Sequence, residues 1–363
     1  MLSALVHPFL AVALTTCPLQ VEVLNAAADR IGAGYITQAE GQTVARRVRD
    51  WAAEGRYAEQ CDDPAAFAEA ATRDLRTLDG HFRLTPPPPS GPSTGPAPAS
   101  LQAWRDEARA AGGGVREVRV LEGNIGYLRL SAFYPWDLVE TRLAAALTLL
   151  GDVDGLIIDL RRNGGGDGRT ADQLVASLLP EGAAFGWIER REGRLPHAAP
   201  PRALPAVRAD TPVAVLIDRR SGSAAEFTAY TLQAAGRAEV IGDRSGGAAH
   251  MLGPPQPLPH GYAVSVPDAR PVNAVTGKNW EGGGVRPDAP GGDADRFRRV
   301  IAAYRLLQAQ TLAPSAGDTW FFVDLQGELH YATEQVDERY HRFSISPLPP
   351  GDGPLFVDLD DAR

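Results

Sequence analysis

The stretch of the sequence that most clearly suggests catalytic chemistry contains a serine followed three positions later by a glutamate. Residues 213–236 read VAVLIDRRSGSAAEFTAYTLQAAG and contain Ser223 and Glu226. The apolar, β-branched run before Ser223 predicts a buried strand, and apolar residues at helical spacing after it predict a helix. Backbone N–H groups are unpaired at a helix N-terminus, so the amide after Ser223 is suited to bind a developing oxyanion. This stretch therefore suggests a serine nucleophile.

The same spacing also has a purely structural interpretation. Ser223-Ala-Ala-Glu226 fits a capping box, in which the two side chains satisfy backbone N–H groups of the helix. Ser221 is a nearby hydroxyl that competes for the role of nucleophile. Catalysis and helix capping both remain open on this stretch alone.

A run of glycines follows a second apolar strand pattern. Gly164, Gly165 and Gly166 come directly after residues 155–163, and another helix is predicted near Thr170. Glycines at a strand end present bare N–H groups and allow close approach of a ligand. The alternatives are a flexible turn and an anion or oxyanion nest. A phosphate loop fits less well, because no Gly-Lys-Ser/Thr follows.

The surrounding pattern predicts several segments of different character. Residues 18–84 contain three amphipathic helices and are predicted to form an N-terminal helical domain. Residues 85–100 are proline-rich and are typical of an extended linker. Residues 101–310 alternate strand and helix patterns, which indicates an α/β core. Residues 311–363 show short strand patterns and are predicted to form a small C-terminal β appendage.

Composition limits the classes of function. The chain of 363 residues has a net charge of −9 and no basic run, which argues against a nucleic-acid partner. Two cysteines, Cys17 and Cys61, are too few for a disulfide framework or a tetrahedral metal site. Residues 1–17 are apolar enough for a signal segment, and Ala11-Val-Ala13 has the form of a cleavage site. We therefore expect export to the periplasm or outside the cell rather than a cytoplasmic protein, with a packed N-terminal helix as the alternative.

Five segments in this order resemble the tail-specific (carboxy-terminal processing) serine protease family. They are LEGNIGYLRLSAF (121–133), GLIIDLRRNGGG (155–166), LIDRRSGSAAEF (216–227), VIGDRSGGAAH (240–250) and WEGGGVRPD (280–288). The chain resembles in particular the branch that contains interphotoreceptor retinoid-binding protein modules and the tricorn core protease. The resemblance covers residues 20–305 and implies a crotonase-like core of stacked β-β-α units.

The resemblance also implies roles for individual residues. The position of the family's nucleophile corresponds to Ser223, and one oxyanion donor corresponds to the amide of Ala224. The second donor corresponds to Gly165 or Gly166. No cofactor and no metal are implied.

The general base is where this chain departs from many family members. Their serine/lysine dyad has its lysine at a position occupied in this chain by Ala248, and the only lysine, Lys278, matches no dyad motif. Arginine cannot replace it, because its pKa is too high for deprotonation. The tricorn-like alternative implies His81 as the base and Glu281 as a supporting carboxylate. The family's serine before this histidine is replaced by Gly80.

His250, which follows a Gly-Gly turn, is the alternative base. Histidine near its usual pKa accepts a serine proton at neutral pH. We therefore expect a serine peptidase that hydrolyses flexible or C-terminal polypeptide segments. A non-catalytic module that binds a hydrophobic ligand or a peptide on the same fold is the alternative. The expected partner is a polypeptide substrate, with no nucleic acid and no integral membrane span. Nothing in the sequence predicts the oligomeric state.

Overall fold

The computed structural model describes residues 17–88, 101–121, 124–290, 319–323, 329–332 and 341–343. The chain divides into two compact units. The first unit contains residues 1–99, 188–195 and 250–271, and the second contains the remainder. Helices and strands occur together, so the protein has a mixed α/β structure.

Helical segments are most frequent in the N-terminal part of the chain, and strands dominate after α5. The helices are α1 (Pro18–Gly34), α2 (Gln38–Ala53), α3 (Pro64–Leu75), α4 (Leu101–Ala110), α5 (Trp136–Leu149), α6 (Gly168–Leu178) and α7 (Ala224–Ala234). The strands are β1 (Arg83–Thr85), β2 (Val115–Leu121), β3 (Ile125–Leu130), β4 (Gly155–Asp159), β5 (Ala184–Arg190), β6 (Gly193–Ala198), β7 (Val213–Ile217), β8 (Glu239–Gly242), β9 (Met251–Leu252), β10 (Gln256–Pro257), β11 (Ala263–Ser265), β12 (Pro267–Asn273), β13 (Ala289–Pro290), β14 (Thr319–Val323), β15 (Leu329–Ala332) and β16 (His341–Phe343). None of the described helices is long and apolar enough to cross a membrane.

The helices of the first unit begin where the sequence provides caps. The Asp63 side chain accepts hydrogen bonds from two N–H groups at the start of α3, and Pro64 occupies the first helical position. Thr37 caps α2 in the same way. The apolar faces of these helices share a buried core with β11, in which Phe67 and Phe82 are fully buried. Asp79 and His81 follow α3 directly, so this core fixes their backbone.

A disulfide bond joins Cys17 to Cys61 within the first unit. Cys17 caps the N-terminus of α1, and Cys61 follows a short 3-10 turn before α3. The bond therefore ties two helical segments that lie 44 residues apart in sequence. The expected signal segment itself lies outside the described residues, except for Cys17.

Removal of this disulfide is expected to lower the free energy of unfolding by about 4 kcal/mol, the loop-closure value for a loop of this length. The Cys17→Ser/Cys61→Ser double variant and the wild-type protein should be compared by urea denaturation. Addition of a thiol reductant should bring the wild-type curve toward that of the variant. Equal stabilities, or two free thiols in the native protein by mass spectrometry, would contradict the expectation.

The second unit is built on a six-stranded sheet. The strand order is β13-β8-β7-β4-β3-β2, with β2 antiparallel to β3 and the other neighbours parallel. Parallel strands are joined by crossovers through helices, such as α5 between β3 and β4 and α7 between β7 and β8. This topology brings the loops after β4, β7 and β8 to one edge of the sheet.

Both faces of this sheet are buried, which explains the continuous apolar runs in its central strands. In β7, Val213, Val215 and Ile217 join the larger core, whereas Ala214 and Leu216 join a smaller cluster on the other face. The predicted strand over residues 213–217 and the predicted helix that follows Ser223 are both present.

Some parts of the chain differ from the sequence expectation or lie beyond what is described. The hairpin strands β5 and β6 had no sequence signal, because β6 is largely exposed and lacks apolar alternation. In the C-terminal appendage, β14 pairs with β15 and β16 in an antiparallel sheet. The helix predicted over residues 295–308 and the strand predicted over 355–358 lie outside the described residues.

Candidate active site

Ser223 lies at the sharp turn between β7 and α7, in the second unit. Its backbone has φ 51° and ψ −116°, a conformation that non-glycine residues rarely adopt. Such strained positions cluster at functional sites, because the surrounding structure must hold them in place. A residue that served only as a helix cap would normally have extended backbone angles with negative φ. The geometry therefore distinguishes Ser223 from an ordinary N-cap.

The hydroxyl groups of the two candidate serines have different surroundings. Ser221 is fully buried, and its hydroxyl donates to Leu160 O at 2.8 Å and accepts from Asp218 N at 2.9 Å. Ser223 is half-buried, and its side chain makes no cap hydrogen bond, although it is placed as in a capping box with Glu226. Ser221 thus stabilises the turn, and Ser223 keeps an available hydroxyl.

The glycine run after β4 packs directly against the Ser223 turn. A Cβ atom added to Gly165 would lie 2.7 Å from Ser223 Cβ and 2.8 Å from Ala224 N. Gly165 also has φ 100°, and Gly166 has φ 135°, so neither position accepts a side chain without strain. The loop and the serine turn therefore meet in the second unit, as the expected oxyanion nest requires.

The backbone amides near the serine differ in availability. Ala224 N is the first amide of α7, where no acceptor exists within the helix. Gly165 N–H donates to the side-chain oxygen of the buried Asn163 at 2.9 Å. Gly166 N–H has no acceptor among the described residues. Of the three amides that the sequence indicated, Gly165 N–H is therefore already bonded within the protein, and Gly165 is the residue in close contact with the serine turn.

Glu226 is a fully buried carboxylate that joins the serine turn to the loop after β8. It accepts from Ser223 N at 2.8 Å and from Ser245 Oγ at 2.5 Å. It also accepts from Gly247 N at 2.6 Å and Ala248 N at 2.8 Å. A buried charge is tolerated when several donors surround it, and these four groups do so. Glu226 therefore holds the strained backbone of Ser223 in place.

Glu281 lies in the glycine-rich turn of the second unit. One of its carboxylate oxygens accepts from Ala249 N at 2.6 Å, and its own N–H donates to Asn279 Oδ1 at 3.0 Å. The Glu281 carboxylate thus holds the end of the loop after β8, and Glu226 holds the middle of the same loop. This contact precedes His250 by one residue in the chain.

The two candidate histidines lie in the first unit and share one carboxylate. His81 Nδ1 is 3.0 Å from Asp79 Oδ1, and His250 Nδ1 is 2.6 Å from Asp79 Oδ2. The ring centroids of the two histidines are 6.1 Å apart. Tyr35 also donates its hydroxyl to Asp79 Oδ2 at 2.9 Å. Asp79 therefore holds both imidazoles through their Nδ1 atoms.

This arrangement selects the tautomer of His81. When Nδ1–H donates to Asp79, the lone pair of the neutral imidazole is on Nε2. His81 Nε2 is buried and has no hydrogen-bond partner in the described part of the chain. A nitrogen of this kind is ready to accept a proton. His81 thus has the properties of a general base whose orientation is set by a carboxylate.

The charge state of Asp79 is also defined. Burial by itself raises the pKa of Asp79, but hydrogen bonds from His250 and His81 outweigh this effect and hold the pKa well below its usual range. Asp79 is therefore ionised at neutral pH and stabilises positive charge on either histidine. The sequence motifs assigned no role to Asp79, although it lies only two residues before His81.

The low pKa of Asp79 makes its stabilising effect dependent on pH. Its folded-state pKa lies below the unfolded value of about 3.9, so the effect is complete above roughly pH 5 and is lost as pH falls through the folded-state value. Asp79→Asn is expected to lower the free energy of unfolding by about 3 kcal/mol at pH 7, because it disrupts a buried charge network. The difference from wild type should shrink below pH 4, as measured by urea denaturation.

A matched control for this measurement is Asp29→Asn. Asp29 is an exposed aspartate of the same unit that pairs with Arg49. Its replacement should change the free energy of unfolding by less than about 1 kcal/mol at any pH. A pH-independent deficit in Asp79→Asn would show that packing, and not the ionised carboxylate, causes the loss.

Part of this chain is similar in sequence to known proteins. Residues 124–290 match the model of peptidase family S41. Carboxy-terminal processing protease CtpB of Bacillus subtilis (strain 168) is 28% identical over 138 residues, which is 36% of this chain and 27% of that protein. A carboxyl-terminal-processing protease of Synechocystis sp. (strain ATCC 27184 / PCC 6803 / Kazusa) is 32% identical over 126 residues, or 34% of this chain and 28% of that protein. The matched part is therefore little more than a quarter of each relative.

Solved structures share the fold at low sequence identity. A lipoprotein from Streptococcus agalactiae has a TM-score of 0.56 at 14% identity, covering 84% of this chain and 99% of that one. A putative peptidase from Parabacteroides merdae ATCC 43184 has a TM-score of 0.54 at 21% identity, covering 81% and 98%. The tricorn protease has a TM-score of 0.50 at 14% identity, covering 80% and 37%. The resemblance to tail-specific serine proteases that the five sequence motifs indicated is thereby confirmed, and residues 124–290 of this chain match peptidase family S41.

Proposed function

We propose that this protein is a serine peptidase that hydrolyses peptide bonds in flexible or C-terminal polypeptide segments. Ser223 is the nucleophile, His81 is the base and Glu281 is a supporting carboxylate. The observation that carries the proposal is the strained backbone of Ser223 at the start of α7, in contact with the Gly165 loop. A fold of the crotonase-like type, with stacked β-β-α units, belongs to the same proposal.

The first chemical step is acylation of the serine. In this proposal His81 Nε2 takes the hydroxyl proton as Ser223 Oγ attacks the peptide carbonyl carbon. The carbonyl oxygen becomes an oxyanion, which the amides of Ala224 and Gly166 bind at the positive end of the α7 dipole. The protonated imidazole then gives its proton to the leaving amine, and water hydrolyses the acyl-enzyme by the reverse sequence.

Carboxylates support this chemistry in two different ways. Asp79 stabilises the imidazolium that forms on His81, because it is ionised and bonded to Nδ1. Glu226 and Glu281 bind backbone amides of residues 247–249 and so fix the loop that leads to His250. Glu281 thus acts as a positioning residue through Ala249 N.

Fluorophosphonate labelling tests the proposal, because such probes react with serines that an enzyme has activated. We expect stoichiometric labelling of the native protein, with the modified peptide mapping to Ser223. Labelling should disappear after denaturation, since free serine is a weak nucleophile. Native protein that resists the probe and binds apolar ligands or peptides instead would favour the non-catalytic alternative.

A further inference from the structure

The cluster of Asp79, His81 and His250 combines two imidazoles with one carboxylate. One ligand atom from each residue can be chosen so that these atoms lie within 4.8 Å of one another. The side chains are 2%, 12% and 9% exposed, respectively. All three belong to the first unit. The two cysteines of the chain are joined in a disulfide and offer no thiolate ligand.

We propose that Asp79, His81 and His250 form a binding site for a divalent transition-metal ion, with Zn²⁺ as the preferred occupant. Two imidazole nitrogens and one carboxylate oxygen are a donor set that suits zinc, whereas magnesium and calcium prefer oxygen ligands alone.

The distances require only small adjustments. Ligand atoms around tetrahedral zinc are about 3.4 Å apart when each is about 2.1 Å from the metal. The present separations of His81 Nδ1 and His250 Nδ1 from Asp79 are 3.0 and 2.6 Å. These contacts are to different oxygens of Asp79, and they would have to lengthen by about 0.4 and 0.8 Å to reach the zinc spacing.

One further feature favours a metal over an ordinary histidine–carboxylate pair. Asp79 is held by hydrogen bonds from Tyr35 Oη and His81 N, at 2.9 Å each. Outer-shell bonds of this kind orient metal-binding carboxylates.

The effect of zinc on peptide hydrolysis rests on the proposed function, in which His81 is the base. A zinc ion bound at His81 Nδ1 takes the lone pair of that nitrogen and leaves the ring proton on Nε2, so Nε2 cannot accept the serine proton. Zinc is thus expected to inhibit peptide hydrolysis reversibly, and a chelator is expected to restore it. The proposed metal site is therefore regulatory and takes no part in the reaction.

Isothermal titration of the full chain with Zn²⁺, after treatment with a chelator, tests the site without any assay of activity. We expect one ion per chain, with a dissociation constant in the micromolar range or below. His250→Ala should weaken binding at least 10-fold. His260→Ala is the matched control, because His260 is an exposed histidine of the same unit that pairs with Glu22. The His260→Ala variant should bind Zn²⁺ with the same affinity as the wild-type protein.

X-ray absorption at the zinc edge of the wild-type complex gives a measurement that does not depend on the folding of a variant. The expected shell contains two imidazoles and oxygen at about 2.0–2.2 Å. An all-oxygen shell, no binding up to millimolar zinc, or equal loss in His250→Ala and His260→Ala would overturn the proposal. One-to-one binding by a protein that resists fluorophosphonate would support the metal site and count against the peptidase.

Discussion

Replacement of Ser223 by alanine is expected to lower peptide turnover by a factor of about 10⁴ to 10⁶ and to abolish fluorophosphonate labelling. The hydroxyl supplies the electron pair that attacks the carbonyl carbon, and alanine has no equivalent. The fold should be retained, because the Ser223 side chain makes no cap hydrogen bond. Turnover of a peptide substrate and the thermal unfolding curve should be measured on the same preparation.

Ser221→Ala is the matched control for this variant. It removes a fully buried hydroxyl that bonds Leu160 O and Asp218 N. Its free energy of unfolding should therefore fall by about 1–3 kcal/mol, while labelling of Ser223 persists in the folded fraction. The assignment of the nucleophile fails if folded Ser221→Ala resists the probe and Ser223→Ala still reacts with it.

The variant Ser223→Gly separates the effect of backbone strain from the effect of the missing hydroxyl. Ser223→Gly should be as inactive as the alanine variant, because it also lacks the hydroxyl. Glycine adopts positive φ without steric cost, so it should be more stable than the alanine variant by about 1–2 kcal/mol. The difference in the free energy of unfolding between the two variants measures the strain at this turn.

The serine turn was predictable because its signals are local. The apolar run of β7 changes to helical spacing at Ser223, and Glu226 lies within the same motif. The three glycines after β4 were informative for the same reason, since their positive φ and bare amides depend on residue type. Residue type and spacing were therefore enough to indicate the serine turn and the glycine loop of the second unit.

The histidine pair of the first unit depends on a contact between residues distant in sequence. Asp79 and His250 are 171 residues apart, and no periodicity links them. The first unit also takes in residues 188–195 and 250–271, which come from within the segment that the sequence assigns to the α/β core. The shared carboxylate was consequently invisible in the sequence, although each histidine stands out there as a candidate base.

Glu226 shows how a correct local prediction was still incomplete. The capping-box motif correctly places its carboxylate beside Ser223 N. Its other three donors come from residues 245–248, in the loop where many family members carry the dyad lysine. Sequence spacing cannot reveal that one carboxylate serves both loops, because that depends on neighbouring strands β7 and β8 in the sheet.

Replacement of His81 by alanine is expected to lower turnover by a factor of about 10² to 10⁴, which is the usual contribution of a positioned base. The free energy of unfolding should fall by only about 1 kcal/mol, since one hydrogen bond to Asp79 is lost. Turnover should be measured across the pH range in which histidine titrates. Added imidazole should restore part of the activity, because the truncated side chain leaves space beside Asp79.

Three other variants separate the base from its neighbours. His260→Ala replaces an exposed histidine of the same unit, and Lys278→Ala replaces the only lysine, so both should keep nearly full turnover. His250→Ala should affect peptide binding more than turnover, which would appear as a raised KM. If His81→Ala keeps full activity and His250→Ala abolishes it, His250 is the base and Asp79 orients that ring instead. The pH profile then decides whether His81 has any role, because a positioning histidine on Asp79 would shift the profile without removing turnover.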